Sequence, residues 1–279
     1  MGAGLEMLFD GGKRKALTLS YDDGTVHDRR LTELMNQYGI KGTFNLNSGL
    51  LGRKEQAVIN GIDTDFSRIE EQEVKTLYAG HEVASHTLTH PSLTGLPSNM
   101  GAAEVLKDRK NLEELTGELV RGFAYPYGAY NETAAEVLSA CGIEYARTVK
   151  STEAFEIPED FLEWHPTCHH ESERLMKLAE DFCKEDEGMA KVFYLWGHSY
   201  EFSQKNNWQV LRDFFSYINE YREKIWFATN IEIVDYVKAY RELKRSTDGK
   251  ILYNPTGLTL WFEMDGAVYH VHGNEKISF

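Results

Sequence analysis

The chain has 279 residues, of which 42% are hydrophobic, and a formal net charge of −14 at pH 7. That length accommodates one large α/β domain or two modest ones, with apolar residues enough for a substantial core. The acidity argues against a nucleic-acid partner, which needs a basic patch, and no run of about 18 apolar residues is present to span a membrane.

The first ten residues are interrupted by Glu6 and Asp10 and lack the apolar centre of a secretory signal, so a cytoplasmic location is expected. Residues 16–21 read as a strand that stops at Tyr21-Asp22-Asp23-Gly24. A helix is predicted over 28–38, with Leu31, Leu34 and Met35 at core spacing and Gly39 as its C-terminal cap. Strand 42–47, an irregular stretch over 48–68, helix 70–79 and strand 81–86 follow. Next come helix 98–116, strand 121–125, helix 131–141 with Asn131 as N-cap, and strand 143–149. Beyond a loop over 150–170 the pattern continues as helix 171–186, strand 191–197, helix 207–223, strand 225–229 and helix 231–244. Seven strands alternating with helices predict parallel βαβ units, and that repeat number suits a closed barrel better than a small open sheet. After Asp248-Gly249 the chain turns β-rich over 251–253, 258–262, 267–272 and 277–279, with Asp265-Gly266 as a hairpin signal. The expected organisation is a main α/β domain over 1–248 and a small β appendage over 249–279 packed on it. Cys141, Cys168 and Cys183 lack metal-type C-x-x-C spacing and read as reduced, buried thiols. Oligomeric state has no signature in the sequence.

Three stretches carry chemistry. Asp22 and Asp23 stand at a strand's carboxyl end, where barrels and open sheets place their active groups. Taken alone, a solvated turn pair is the more ordinary reading. Ser85-His86-Thr87-Leu88-Thr89-His90 follows another strand, and two histidines so spaced reach one metal ion if the segment makes a helical turn. Both pairs then fall at the same end of the sheet. Two histidines, one carboxylate and an open water position compose a hydrolytic metal site, leaving the other Asp free as a base. Phe123-Ala124-Tyr125-Pro126-Tyr127-Gly128 is a third strand end that runs into a proline–glycine turn.

In order and spacing, Tyr21-Asp22-Asp23-Gly24, His86-Thr87-x-x-His90 and Pro126-Tyr127-Gly128 resemble the first three motifs of the NodB-homology polysaccharide deacetylases, carbohydrate esterase family 4, over about residues 15 to 235. The resemblance implies a distorted (β/α)7 barrel, in agreement with the seven strands, and hydrolytic removal of acetyl groups from a carbohydrate. It implies Asp22 as general base and Asp23, His86 and His90 as ligands of a divalent transition metal, usually zinc and sometimes cobalt, nickel or manganese. The backbone N–H of Tyr127 would help hold the oxyanion, and Thr87 would steady the histidine loop. Tyr194-Leu195-Trp196-Gly197-His198 resembles the Leu-x-x-His stretch that supplies the family's catalytic acid, here His198.

Two departures from the family pattern matter. The arginine that usually precedes Pro-Tyr-Gly by two residues is Ala124 here, and Arg121 points to the opposite face of its strand. Arg147, ending the next strand, is expected to reach Asp22 and keep it ionised; a surface arginine is the alternative. The Asp-x-x-Asp-Trp stretch that tunes the catalytic histidine is absent, and Glu201 is the replacement candidate. Trp196, Tyr127 and His169 are candidate sugar contacts, with Trp164, His165, His170 and Tyr200 as further residues at the mouth or beside His198. Two other readings stand beside the deacetylase: a related hydrolase of a small, cyclic amide, and a non-catalytic carbohydrate-binding barrel.

Overall fold

Parallel strands covered by helices on both faces are buried along their whole length. Every residue of Lys15–Asp22 is buried, as is the interior of Lys191–His198. The protein, a computed structural model describing residues 4–59, 61–185 and 188–279, curls these strands into one eight-stranded sheet. From one edge its order is Tyr145–Arg147, Gly122–Ala124, Glu82–Ser85, Thr43–Leu46, Lys15–Asp22, Lys191–His198 and Cys168–His169. The central strand takes two neighbours on one side: Ile225–Phe227 pairs with Lys15–Leu17, while Thr43–Asn45 pairs with Ser20–Asp22. All these pairings are parallel, and the architecture is the distorted (β/α)7 barrel. The seven predicted strands are present. The eighth, Cys168–His169, is two residues long and lies in a stretch expected to be loop.

Local signals place the helices. Asp28–Tyr38 ends at Gly39, whose φ of 62° meets the left-handed requirement of a C-terminal cap. The Asn131 side chain accepts the Ala134 N–H and starts Glu132–Ala140. Helix 70–79 is reduced to a 3-10 turn, Glu71–Glu73, and one α turn, Val74–Leu77. The predicted 171–186 helix spans Leu175–Lys184, and residue 186 lies outside the described residues. The stretch 48–68 is not irregular throughout: Gln56–Ile59 and Ile62–Asp65 form an antiparallel hairpin.

The tail builds two small antiparallel sheets. One takes Glu6–Leu8 as its first strand, beside Leu260–Met264 and Ala267–Val271. Asp265 and Gly266 turn the latter hairpin with φ of 52° and 77°, the left-handed pair of a type I′ turn. Leu252, Leu260, Phe262 and Val271 share a buried cluster with Ala16, Val192, Ile233 and Val234. The tail therefore packs near the amino ends of the central strands, away from the carboxyl ends. Among the described residues, no helix is long and apolar enough to cross a membrane.

Candidate active site

Asp22 closes the central strand, and Asp23 leaves it with φ of 79° while its N–H bonds the Asn45 carbonyl at 3.0 Å. Gly24 follows with φ of 62°, and a Cβ there would come within 2.8 Å of Leu46 Cδ2. This turn sends the two adjacent carboxylates to different partners. Asp22 is 3% exposed, accepts Asn45 Nδ2 at 2.8 Å and is ion-paired with Arg147. Asp23 faces Arg68 Nη2 at 3.3 Å. Burial alone would raise the Asp22 carboxyl, but the charges of Arg147, His86 and His198 outweigh it and hold it at about 2. Arg147 is wholly buried, which corrects the surface-arginine alternative, and its guanidinium lies 4.4 Å from the Trp196 ring centre. Arg121 points elsewhere, to Asp235 and Glu144.

The two histidines meet through a loop rather than the helical turn their spacing suggested. Thr87 and His90 both have φ of 66°. Buried polar groups hold this loop: Asn47 Nδ2 donates to the carbonyls of His86 and Thr87 at 2.5 and 2.9 Å. The buried Asp108 carboxylate accepts Ser48 N–H, Ser85 Oγ and His86 N–H at 2.7, 2.6 and 3.3 Å. His86 Nδ1 lies 2.7 Å from the Ala124 carbonyl, which takes the ring proton there and leaves Nε2 with its lone pair. Burial pushes His86 down to about 4 and lowers His90, so both rings are neutral. Their Nε2 atoms face each other at 3.1 Å, and His90 Nε2 is 3.8 Å from Asp23 Oδ1. Ligand-type atoms of Asp23, His86 and His90 all lie within 4.8 Å of one another. Two neutral imidazoles and a carboxylate so arranged fit a divalent transition metal.

Tyr127, in the turn Pro126–Gly128, has φ of 60° and sets its ring edge-on to His90 at 4.6 Å. Asp23, Thr87, His90 and Tyr127 are thus four non-glycine residues in left-handed backbone. Such strain, about 1–3 kcal/mol each, persists where surrounding contacts over-determine the backbone.

His198 ends the strand beside the central one and is in register with Asp22. Its Nε2 lies 3.9 Å from Asp22 Oδ2 and 4.0 Å from Asp23 Oδ2. Behind it, Glu201 Oε2 accepts the His198 backbone N–H at 3.0 Å and lies 3.3 Å from His198 Nδ1. Burial opposes a charged His198, but the carboxylates of Glu201, Asp22 and Asp23 prevail and raise it to about 9. A cavity of about 730 Å³ is lined by Asp22, Asp23, His86, His90, Tyr127, Trp196, His198 and Tyr200, together with Phe66 and Arg68. Those last two come from the stretch read as irregular and had no sequence signal. A second cavity, about 650 Å³ around Lys41 and Glu82, opens away from these groups.

Several mouth candidates lie elsewhere. His169 packs against Glu201 at 3.2 Å and does not line the cavity. His170 is 1% exposed and stacks on Phe202 at 4.0 Å. Trp164 is buried against Tyr194, and His165 bonds Thr148 Oγ1 at 2.7 Å. These shifts share one cause: the loop over 150–170 folds inward and lends a strand to the sheet.

Residues 10–146 match the sequence profile of the family described as polysaccharide deacetylase. A Bacillus subtilis (strain 168) protein named as a polysaccharide deacetylase, YxkH, is 23% identical over 137 residues, 49% of this chain and 45% of that protein. The chain thus matches less than half the length of that curated relative. Among solved structures, a Mycobacterium smegmatis protein named as a polysaccharide deacetylase is 16% identical with a TM-score of 0.64, covering 87% of this chain and 96% of its own. A carbohydrate esterase family 4 pseudoenzyme from Bacillus anthracis is 17% identical with a TM-score of 0.51, over 84% of this chain and 68% of its own. These structural likenesses speak for the fold, which hosts active and inactive members alike. With the profile match and the motif residues gathered at the carboxyl ends of the barrel strands, residues 10–146 are identified with the polysaccharide deacetylase family.

Proposed function

We propose that the protein is a metal-dependent hydrolase that removes acetyl groups, N-acetyl first and O-acetyl by the same chemistry, from a carbohydrate. One observation carries the reading: Asp22, Asp23, His86, His90 and His198, drawn from three strand ends, face a single cavity. The family supports carbohydrate deacetylase activity in general terms.

Asp23, His86 and His90 would hold the ion, zinc by donor chemistry, with cobalt, nickel or manganese as alternatives. When bound, a divalent ion supplies Lewis acidity that polarises an acyl carbonyl and acidifies a water. Asp22, kept ionised by Arg147 and oriented by Asn45, accepts the proton of the attacking water. The Tyr127 backbone N–H, presented by its strained turn, donates to the developing oxyanion. His198, charged beside Glu201, protonates the departing amine, which would otherwise be a poor leaving group. Glu201 supplies the carboxylate that the missing Asp-x-x-Asp-Trp stretch does not. Trp196 and Tyr127 flank the cavity and offer ring faces to a sugar; His169 serves as support for Glu201 rather than as a sugar contact.

In this proposal residues 1–248 form the catalytic unit and 249–279 a supporting appendage, a division favoured by the tail's place at the amino end of the barrel. A cytoplasmic setting fits the buried thiols of Cys141 and Cys168, which suit a reducing compartment. Metal-loaded protein incubated with N-acetyl sugars, O-acetyl sugars and cyclic amides tests the reading. Acetate release that Asp22→Asn abolishes is expected. Turnover confined to cyclic amides would replace the substrate class, and no turnover at all would favour a binding barrel.

A further inference from the structure

We infer that His169, His198 and Glu201 form a second divalent-metal site, whose occupation switches the enzyme off. Ligand-type atoms of these three residues lie within 4.8 Å of one another, as do those of the Asp23 cluster. Around Glu201 Oε2 stand His169 Nε2 at 3.2 Å, His170 Nε2 at 3.3 Å and His198 Nδ1 at 3.3 Å. His198 Nδ1 and both ring nitrogens of His170 are buried and make no hydrogen bond. An unbonded buried nitrogen is costly, and each such group in a native structure calls for an unseen partner. A cation held by Glu201, His169 and His198 is that partner for His198 Nδ1.

The local fold keeps room for the rings. A Cβ on Gly197 would meet His170 Nδ1 at 1.9 Å, so this strand residue carries no side chain. Imidazoles with one carboxylate suit zinc, cobalt or nickel over calcium or magnesium. The site binds less tightly than the Asp23 cluster. Glu171 N–H donates to His169 Nδ1 at 3.2 Å, which places that ring's proton on Nε2, where the ion must displace it. His86, by contrast, already presents a free Nε2. A His198 ligated through Nδ1 is no longer an imidazolium, so the second ion removes the acid. This regulatory consequence rests on the role proposed for His198; the binding site itself does not.

The test is a zinc titration of metal-free, full-length protein by calorimetry, with bound metal measured by equilibrium dialysis and elemental analysis. Two steps are expected, a tight first equivalent and a weaker second. Glu201→Gln and His169→Ala should each weaken the second step tenfold or more and leave the first. His86→Ala should remove the first and leave the second. Excess zinc should inhibit turnover over the concentration range of the second step. A single equivalent up to the highest zinc concentration, or a second step unchanged in both Glu201→Gln and His169→Ala, overturns the inference. If His86→Ala leaves two steps intact, the assignment of the Asp23 cluster fails while the second site stands.

Discussion

Removing the Arg147 guanidinium should leave Asp22 as an uncompensated buried charge. Arg147 is wholly buried, and the Asp22 side chain it pairs with is 4% exposed. Breaking such a pair from one side costs about 3–5 kcal/mol, because the remaining charge keeps its desolvation penalty. The Asp22 carboxyl, held at about 2 against an ordinary aspartate value of 3.8, carries about 2 kcal/mol of linked stability by itself. Since its folded value is depressed, that stability is present above about pH 4 and is lost as pH falls towards 2. In Arg147→Ala, burial is opposed only by the His86 and His198 charges and the Asn45 amide, so the carboxyl rises from about 2. The deficit should therefore be large at pH 7.5 and shrink towards pH 4, where Asp22 takes up a proton. Chemical denaturation of the metal-free protein at both pH values measures it. Adding Asp22→Asn to Arg147→Ala should recover part of the loss, since it deletes the stranded charge. An equal deficit at both pH values, with no recovery in the double variant, would refute the electrostatic account and leave only lost packing on Trp196.

Other consequences are as direct. Glu201→Gln removes the carboxylate nearest His198 Nδ1; the alkaline limb of kcat/KM, set in the wild type near the raised value of about 9, should move to lower pH. Gly197→Ala forces a Cβ into His170 and should lower stability by about 1–3 kcal/mol, read from the denaturation midpoint, with loss of the zinc step assigned to Glu201. Asp28 is buried beside Tyr78, and burial raises it to about 7. A raised carboxyl stabilises the fold only while protonated, so this contribution fades as pH rises from about 4 through 7. Asp28→Asn should then stabilise the protein by about 1–2 kcal/mol at pH 8 and change little at pH 5. Zinc at about 100 times its dissociation constant should stabilise the fold by about 2.7 kcal/mol, lost on chelation and absent in His86→Ala/His90→Ala.

How much was legible beforehand follows from the range of the forces involved. Helices Asp28–Tyr38 and Ser98–Thr116 have the predicted bounds because periodicity and glycine caps are local. The strand ends carrying Asp22, His86 and His198 were readable for the same reason, and Arg147 followed from its place at the next strand's end. Glu6–Leu8 was missed because its partner, Leu260–Met264, lies at the far end of the chain. The Gln56–Ile59 hairpin has short, half-exposed strands, which leave little apolar alternation to detect. The histidine loop defeated a helical reading because Asn47 and Asp108, remote in sequence, hold it in left-handed backbone. Arg68 belongs to no motif, and only tertiary packing brings it to the site.

The central claim meets its most direct test in one paired measurement: metal content by elemental analysis and acetate release from N-acetyl sugars, on the wild type and on His86→Ala/His90→Ala. At limiting zinc the account predicts about one equivalent per chain bound by the wild type, with both that equivalent and acetate release lost in the variant. Wild-type protein that binds no metal after zinc addition, or a variant that still releases acetate, would contradict it.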